Sequence, residues 1–181
     1  MILKVNNNIT LKSLEANDAK DIFHIIDTQR AYLGEWLPFV DFTKRLNDSE
    51  AFVRSVVEAP QDKFEHVFSI RKNDQFIGLI GFKSTDKMNA KTEIGYWISQ
   101  DYQKQGIVTE SVKRICALAF QELQMNRIQI KCAVGNLPSR NIPIKLGFKF
   151  EGIERAGERV NDITFRNLEV YSLLKSEFKS N

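Results

Sequence analysis

The chain has 181 residues, of which 43% are hydrophobic and 27% charged, and its formal net charge is +3. These values are typical of a single globular domain over residues 1–181 and exclude a disordered, collagen-like or disulfide-rich chain. The positive surplus is too small for a nucleic-acid-binding surface, which gathers many Lys and Arg on one face. No apolar run approaches the ~18 residues that a membrane-spanning helix needs. We therefore expect neither a nucleic-acid partner nor a membrane partner.

The beginning of the chain and its two cysteines indicate the compartment. The first eight residues contain no apolar stretch typical of a signal peptide, which favours a cytoplasmic protein. Cys116 and Cys132 do not have the spacing of a metal or redox motif. We expect two buried, reduced thiols and no metal site.

Hydrophobic periodicity assigns the first half of the chain to a strand, two helices and then three strands. The opening strand is predicted at residues 9–11, and apolar residues at helical spacing run over residues 18–33. A second helix is predicted from about residue 48 to residue 59. The pattern then changes to alternation, with strands at residues 67–70, 76–82 and 93–98. On the last of these, Glu93, Gly95 and Trp97 should share one face.

The second half begins with a strongly amphipathic helix over residues 108–123. A buried strand at residues 127–134 and a short helix at residues 137–146 follow, and Gly147 ends that helix. Two strands, at residues 148–156 and 162–174, form a terminal hairpin. This order predicts a mixed α/β (α+β) domain, a sheet with helices on both faces, and not a doubly wound nucleotide-binding fold.

The loop before the long helix is the first segment with the features of a binding site. Residues 102–109 follow a strand and open a helix, so their backbone N–H groups lie at the positive end of a helix dipole, where phosphates bind. Gly106 allows close approach of a ligand, and Lys104 can reach a further phosphate. The same residues also suit an ordinary helix start with a turn glycine.

The second segment begins the short helix. Asn136 is placed to cap it, Pro138 suits its first turn, and Ser139 lies three residues after the cap. Taken alone, this segment favours plain helix capping.

Taken together, in this order and separation, the two segments resemble the GNAT superfamily of acetyl-CoA-dependent N-acetyltransferases. Gln103, Gly106 and Val108 occupy the places of the family's pyrophosphate loop, which has Arg or Gln, two residues, Gly, one residue, then Gly or Ala. Asn136 and Ser139 match its Asn-x-x-Ser motif, which Lys-Leu-Gly-Phe follows at residues 145–148. Val108 departs from the pattern by adding bulk, although its backbone N–H is intact.

Two further stretches resemble one branch of that superfamily, the RimJ/RimL-type ribosomal-protein N-terminal acetyltransferases. They are Glu-Ile-Gly-Tyr-Trp-Ile at residues 93–98 and Trp-Leu-Pro-Phe-Val-Asp at residues 36–41. The resemblance covers nearly the whole chain. It implies a GNAT-like three-layer domain whose mostly antiparallel, twisted sheet has splayed strands that form an acetyl-CoA cleft. A homodimer is common in this branch.

The resemblance implies direct transfer of an acetyl group from acetyl-CoA to a primary amine, the N-terminal α-amino group of a ribosomal protein being favoured. The pantetheine arm would pair with backbone near Trp97 to Ser99 and with Asn136, and an N–H near Ile98 would polarise the thioester carbonyl. The implied cofactor-binding residues are Trp97, Ile98, Ser99, Gln103, Lys104, Gln105, Gly106, Ile107, Val108, Thr109, Asn136, Ser139 and Lys145.

The candidate base follows from its position on a central strand beside Trp97, and the candidate acid follows from the resemblance. Glu93 is the candidate base, although a carboxylate on a central strand can equally be structural, and His66 is a weaker candidate. Pro143 stands where many relatives have the tyrosine that protonates the leaving thiolate, so Ser139 is the candidate acid. Pro143 also removes a backbone donor that would reach the Ser139 carbonyl, which predicts a tightened or kinked helix.

The acceptor pocket is assigned to aromatic residues, and two other functions stay open. Trp36 and Phe39 are expected to line the pocket together with Glu93. A polyamine or other small amine would instead need several convergent carboxylates, for which the chain offers Glu35, Asp41, Asp48 and Glu50. A catalytically silent acyl-CoA-binding module would keep the loop and lose the acid and base.

Overall fold

The structure is a computed structural model that describes residues 1–179, and its centre is one eight-stranded sheet. The strands are β1 (Ile2–Lys4), β2 (Ile9–Ser13), β3 (Val67–Lys72), β4 (Gln75–Asp86), β5 (Lys91–Ile98), β6 (Arg127–Ala133), β7 (Lys149–Arg159) and β8 (Phe165–Leu174). The α-helices are α1 (Asp18–Thr28), α2 (Arg30–Gly34), α3 (Leu46–Val57), α4 (Ile107–Ala117) and α5 (Leu137–Lys145).

The strand order is β1-β2-β3-β4-β5-β6-β8-β7, and β5–β6 is the parallel pair in an otherwise antiparallel sheet. The mostly antiparallel mixed sheet that the sequence predicts is therefore confirmed. The terminal hairpin is also present, with β8 inserted next to β6 so that β7 forms the edge of the sheet.

Each face of the sheet packs against its own set of helices. One apolar cluster joins α1 and α3 to Phe76 and Leu79 of β4, with the Trp97 ring at its margin. The other cluster joins the opposite face of the sheet to α4, and it includes Ile94 and Ile98 of β5. The alternation predicted for residues 93–98 is thus confirmed, and helices cover both faces. Burying one such large apolar side chain contributes about 1.5–3 kcal/mol, which is why the layers stay together.

The functional cleft arises because β5 and β6 separate. Their parallel pairing runs only from Lys91–Arg127 to Glu93–Gln129. Beyond that pair β5 continues along β4 to Ile98, while β6 continues along β8 to Ala133. The facing edges of the two strands therefore have no strand partner within the described residues.

Three elements show the clearest differences from the sequence prediction. The helix predicted over residues 18–33 breaks at Gln29, whose amide side chain donates to Ser99 Oγ (3.0 Å) and accepts from the Gln100 backbone N–H (2.8 Å). The long helix is α-helical only to Ala117, and a π-helical turn continues it over Leu118–Glu122. The three-residue strand β1 was not predicted. Cys116 and Cys132 are buried free thiols, as expected.

Candidate active site

A cleft with a volume of about 930 Å³ lies where β5 and β6 separate. Residues 103–109, between β5 and the first turn of α4, form one part of its surface, which we term the loop wall. Three rings form another part, which we term the aromatic wall: Trp36, Phe39 and Phe52. Residues of β5, β6 and α5 line the space between these walls.

The loop wall includes the backbone N–H groups at the start of α4. Gly106, in the left-handed conformation (φ +74°), is the N-cap of α4, and no side-chain hydrogen bond caps that helix. Lys104 is also left-handed (φ +59°). The first backbone N–H groups of a helix have no partner within the helix, and they concentrate its positive end. This wall is thus suited to an anion such as a phosphate.

Both glutamine side chains of the loop wall bond to the protein. Gln103 Nε2 donates to Tyr32 Oη (2.7 Å), and Tyr32 Oη donates in turn to the Ile98 carbonyl (3.1 Å). Gln105 Oε1 accepts from Lys72 Nζ (2.9 Å). Burial raises the pKa of Tyr32, so its hydroxyl keeps the proton that it donates. The two side chains therefore brace the loop.

Glu93 lies at the point where the β5–β6 pairing ends, and it is only 5% exposed. Its carboxylate pairs with Lys83 Nζ (2.8 Å) and accepts from Gln129 Nε2 (3.0 Å), while Lys131 Nζ is 3.9 Å away. The strand register places these groups together, because Lys83 and Gln129 are its partners on the two neighbouring strands. A buried carboxylate needs such partners.

Ser139 is held from two directions at the start of α5. Its backbone N–H donates to Asn136 Oδ1 (3.1 Å), and Asn136 thus caps the helix as predicted. Its hydroxyl donates to Tyr96 Oη (3.3 Å), and Tyr96 Oη donates to the Ser139 carbonyl (3.1 Å). That carbonyl lacks a helical partner because Pro143 has no N–H. Burial raises the pKa of Tyr96 far above its usual range, so the phenol remains protonated.

Comparison with known proteins decides the family. A family model described as "Acetyltransferase (GNAT) domain" matches residues 8–149 of the chain. The chain belongs to the GNAT family of acetyltransferases. The enzyme is 33% identical over 180 residues to YdaF of Bacillus subtilis (strain 168), which is provisionally named a ribosomal N-acetyltransferase, covering 97% of this chain and 96% of that protein.

Two further similarities concern ribosomal-protein acetyltransferases. The enzyme is 29% identical over 160 residues to the ribosomal-protein-serine acetyltransferase of Escherichia coli (strain K12), covering 88% of this chain and 89% of that protein. Its fold matches a structure of RimL, a ribosomal alpha-N-protein acetyltransferase in complex with coenzyme A, with a TM-score of 0.90 at 20% identity. That match covers 96% of this chain and 98% of the RimL chain. The GNAT fold that the resemblance implies is confirmed.

Acetyl-CoA is the co-substrate of this acetyltransferase, and it supplies an activated acetyl thioester. The residues present fit it. The uncapped amides of the loop wall suit its pyrophosphate, and Val108 lines the cleft without removing its own N–H. The unpaired strand edges at residues 94–98 and 130–133 suit an arm that contains amide groups.

The structure brings nearly all of the predicted site residues of the GNAT enzyme to this one cleft. Those that line it are Trp36, Phe39, Glu93, Trp97, Ile98, Gln103, Lys104, Gln105, Gly106, Ile107, Val108, Thr109, Asn136, Ser139 and Lys145. Ser99 does not: it is buried, its hydroxyl accepts from Gln29, and its N–H donates to the Ile77 carbonyl. His66 is not among the lining residues either, and burial lowers its pKa.

Several lining residues were not predicted. Lys83, Tyr96 and Lys131 come from three strands, and Phe52 comes from α3. The signal for Tyr96 was already present, because the alternation of β5 places it beside Ile94 and Ile98. Lys83 and Lys131 become recognisable only through the strand register. Cys132 also lines the cleft, and burial raises its pKa to about 11, so the thiol stays protonated near neutral pH.

The acceptor side of the acetyltransferase has few carboxylates. Phe39 and Phe52 are 41% and 40% exposed, so their rings are open to a ligand. Of the four carboxylates considered for a polyamine, Asp48 alone lines the cleft within the described residues. Asp48 accepts from the backbone N–H groups of Arg45 and Lys44, which lower its pKa. The four carboxylates thus do not converge.

Two features are absent from residues 1–179. No helix there has the length and apolar character needed to cross a bilayer. No group of three or more His, Cys, Asp or Glu side chains is arranged to hold a metal ion.

Proposed function

We propose that this acetyltransferase modifies the N-terminal α-amino group of a protein, and that the protein is ribosomal. The observation that carries the proposal is the balance of charge in the cleft. Lys83 pairs with the buried Glu93 and Lys131 with Glu154, so these carboxylates are already paired and do not form an acidic pocket for a cation with several ammonium groups. The names of the two ribosomal-protein relatives support the same acceptor class.

The acid–base chemistry that a peptide N-terminus needs is modest. Only a neutral amine is nucleophilic, and an α-amino group with a pKa near 8 is neutral for roughly a tenth of the time at pH 7. Glu93 then takes the proton that the nitrogen loses as its bond to the acetyl carbon forms.

Ser139 supplies the other proton. As the carbon–sulfur bond breaks, the Ser139 hydroxyl turns from Tyr96 Oη towards the departing sulfur and donates its proton there. Tyr96 keeps Ser139 in position through its bond to the Ser139 carbonyl. One proton goes from nitrogen to Glu93 and one from Ser139 to sulfur, and the cycle closes when the Glu93 carboxyl returns its proton through solvent to the Ser139 oxygen.

The test is release of free thiol from acetyl-CoA with a panel of acceptors. A Ser-initiated hexapeptide without lysine should be acetylated, while the same peptide with a blocked N-terminus should not. Spermidine and a blocked peptide that contains one lysine complete the panel. A higher kcat/KM for spermidine than for the Ser-initiated peptide would contradict the proposal. So would acetylation of the blocked lysine peptide at a rate comparable to that of the free N-terminus.

A further inference from the structure

Arg166, on the terminal hairpin, makes a set of contacts with a segment about 130 residues earlier in the chain. Its Nη1 donates to the Glu35 carbonyl (3.1 Å) and its Nη2 to the Trp36 carbonyl. Its guanidinium carbon lies 6.0 Å from the centre of the Trp36 ring. Arg166 therefore holds both the backbone and the ring of the residue that begins the aromatic wall.

The other side of the guanidinium is fixed by the hairpin itself. Glu158 is the cross-strand partner of Arg166 on β7, and its carboxylate accepts from Arg166 Nε (2.6 Å) and Nη2 (2.5 Å). The Arg166 side chain is only 18% exposed. Charge-assisted bonds shielded from water are stronger than exposed ones. The guanidinium is thus anchored to the sheet and cannot follow Trp36 if that residue moves.

Trp36 in turn reaches the turn that precedes α5. A Cβ atom placed on Gly135 would lie 3.9 Å from Trp36 Cη2, so the ring packs close to that glycine. Gly135 has φ +93° and immediately precedes Asn136, which caps α5 and orients Ser139. A chain of contacts thus runs from Arg166 through Trp36 to the turn that carries the Ser139 helix.

We propose that Arg166 is a positioning residue that sets the affinity for the acceptor amine. It does not line the cleft, whereas Trp36 and Glu158, which it holds, both do. This inference rests on the proposed function for the identity of the acceptor, and on the contacts above for the placement of Trp36. Lysine cannot replace Arg166, because a single ammonium group cannot reach two carbonyls and a carboxylate in a fixed plane.

The hairpin offers a matched control in Arg159. Its side chain also donates to two backbone carbonyls, those of Asn161 and Asp162, and lies 5.8 Å from the Phe165 ring. All of these partners belong to the hairpin and none to the aromatic wall. Arg159→Lys therefore removes an equivalent set of contacts without reaching Trp36.

The experiment compares Arg166→Lys with Arg159→Lys in steady-state kinetics with acetyl-CoA and the Ser-initiated hexapeptide. We expect Arg166→Lys to raise the KM for the peptide about tenfold, with the KM for acetyl-CoA unchanged within twofold, because small misplacements of a binding wall are costly. Arg159→Lys should change neither value. An unchanged peptide KM in Arg166→Lys would overturn the proposal. A parallel rise of both KM values would do so too, since it would indicate general loosening.

A second readout needs no turnover and separates failure of this inference from failure of the proposed function. The chain has two tryptophans, so Trp97→Phe leaves Trp36 as the only indole fluorophore. In that background Arg166→Lys should increase acrylamide quenching of Trp36 by about twofold, and Arg159→Lys should not. If wild-type enzyme leaves the peptide unmodified, the quenching result alone decides whether Arg166 positions Trp36. Unchanged quenching overturns the proposal.

Discussion

The two walls of the cleft are built in different ways. The loop wall is seven consecutive residues, 103–109, and it presents backbone N–H groups at the start of α4. The aromatic wall takes its rings from positions 36, 39 and 52, and it is held by a guanidinium at position 166. A backbone surface can keep its ligand while its side chains vary. A surface assembled from distant side chains can change its ligand with one substitution. We therefore expect the loop wall to define the co-substrate and the aromatic wall to define the acceptor.

The largest effect is expected between the two walls, at Glu93. Glu93→Gln keeps the shape and the contact with Gln129 but removes the base, so kcat should fall about 100-fold. The matched control is Glu154→Gln, because Glu154 also pairs with Lys131 (2.6 Å) but does not line the cleft. Steady-state kinetics on the Ser-initiated peptide measure both variants. Equal kcat values for Glu93→Gln and wild type would assign Glu93 to structure alone.

The loop wall is tested by comparing two glycines that have the same left-handed backbone conformation. Gly106 (φ +74°) and Gly147 (φ +79°) are both left-handed, and an added Cβ would meet no atom within 4 Å in the described residues. An alanine at either position should lower the free energy of unfolding by about 1–2 kcal/mol, because a residue with a Cβ is strained in the left-handed conformation. Gly106→Ala should also raise the Kd for coenzyme A about 30-fold in calorimetry. A similar loss of affinity in Gly147→Ala would show that strain, and not contact with phosphate, weakens binding.

A smaller effect is expected at Ser139, which lies between the walls. Ser139→Ala should lower kcat about tenfold, because a free thiol has a pKa near 8.5 and its anion leaves without much help. The KM for acetyl-CoA should stay within twofold of wild type. Thr at this position keeps a hydroxyl and should restore part of the rate. An unchanged kcat in the alanine variant would remove Ser139 from the mechanism.

The smallest effect concerns the link between the walls. Tyr32 belongs to α2, which leads to Trp36, and its hydroxyl bonds to Gln103 of the loop wall and to the Ile98 carbonyl. Coenzyme A should therefore increase the affinity for the peptide about threefold in wild type, and Tyr32→Phe should abolish this increase. Calorimetric titrations of the peptide, with and without coenzyme A, measure how much coenzyme A increases the affinity for the peptide. Tyr102→Phe is the control, because Tyr102 Oη donates to Gln75 and does not touch α2. Retained coupling in Tyr32→Phe would show that the walls act independently.

The difference between a wall of consecutive residues and a wall of distant residues also explains which parts of the site could be predicted from the sequence. The loop wall, the Asn136 cap and the alternation of β5 depend on neighbouring residues, so local pattern and family resemblance were enough. Lys83 and Lys131 meet Glu93 through the register of neighbouring strands, and Arg166 meets carbonyls about 130 residues earlier in the chain, so the sequence pattern alone did not give these contacts. Ser99 was assigned to the cofactor by the family resemblance, but it does not line the cleft, and the Gln29 side chain at the end of α1 bonds to its hydroxyl. The break between α1 and α2 at Gln29 was missed for the same reason, because the Gln29 side chain bonds to Ser99 and Gln100, about 70 residues later in the chain.

The proline in α5 makes the residue at position 96 dependent on the residue at position 143. Helix α5 runs on through Pro143 to Lys145, and the phenol of Tyr96 donates the bond that the proline nitrogen cannot. An alanine at position 143 would restore an ordinary helical donor and make the phenol dispensable there, while phenylalanine at position 96 would be harmful only as long as the proline remains. The two positions are therefore expected to be epistatic, and homologous enzymes should exchange them as a pair.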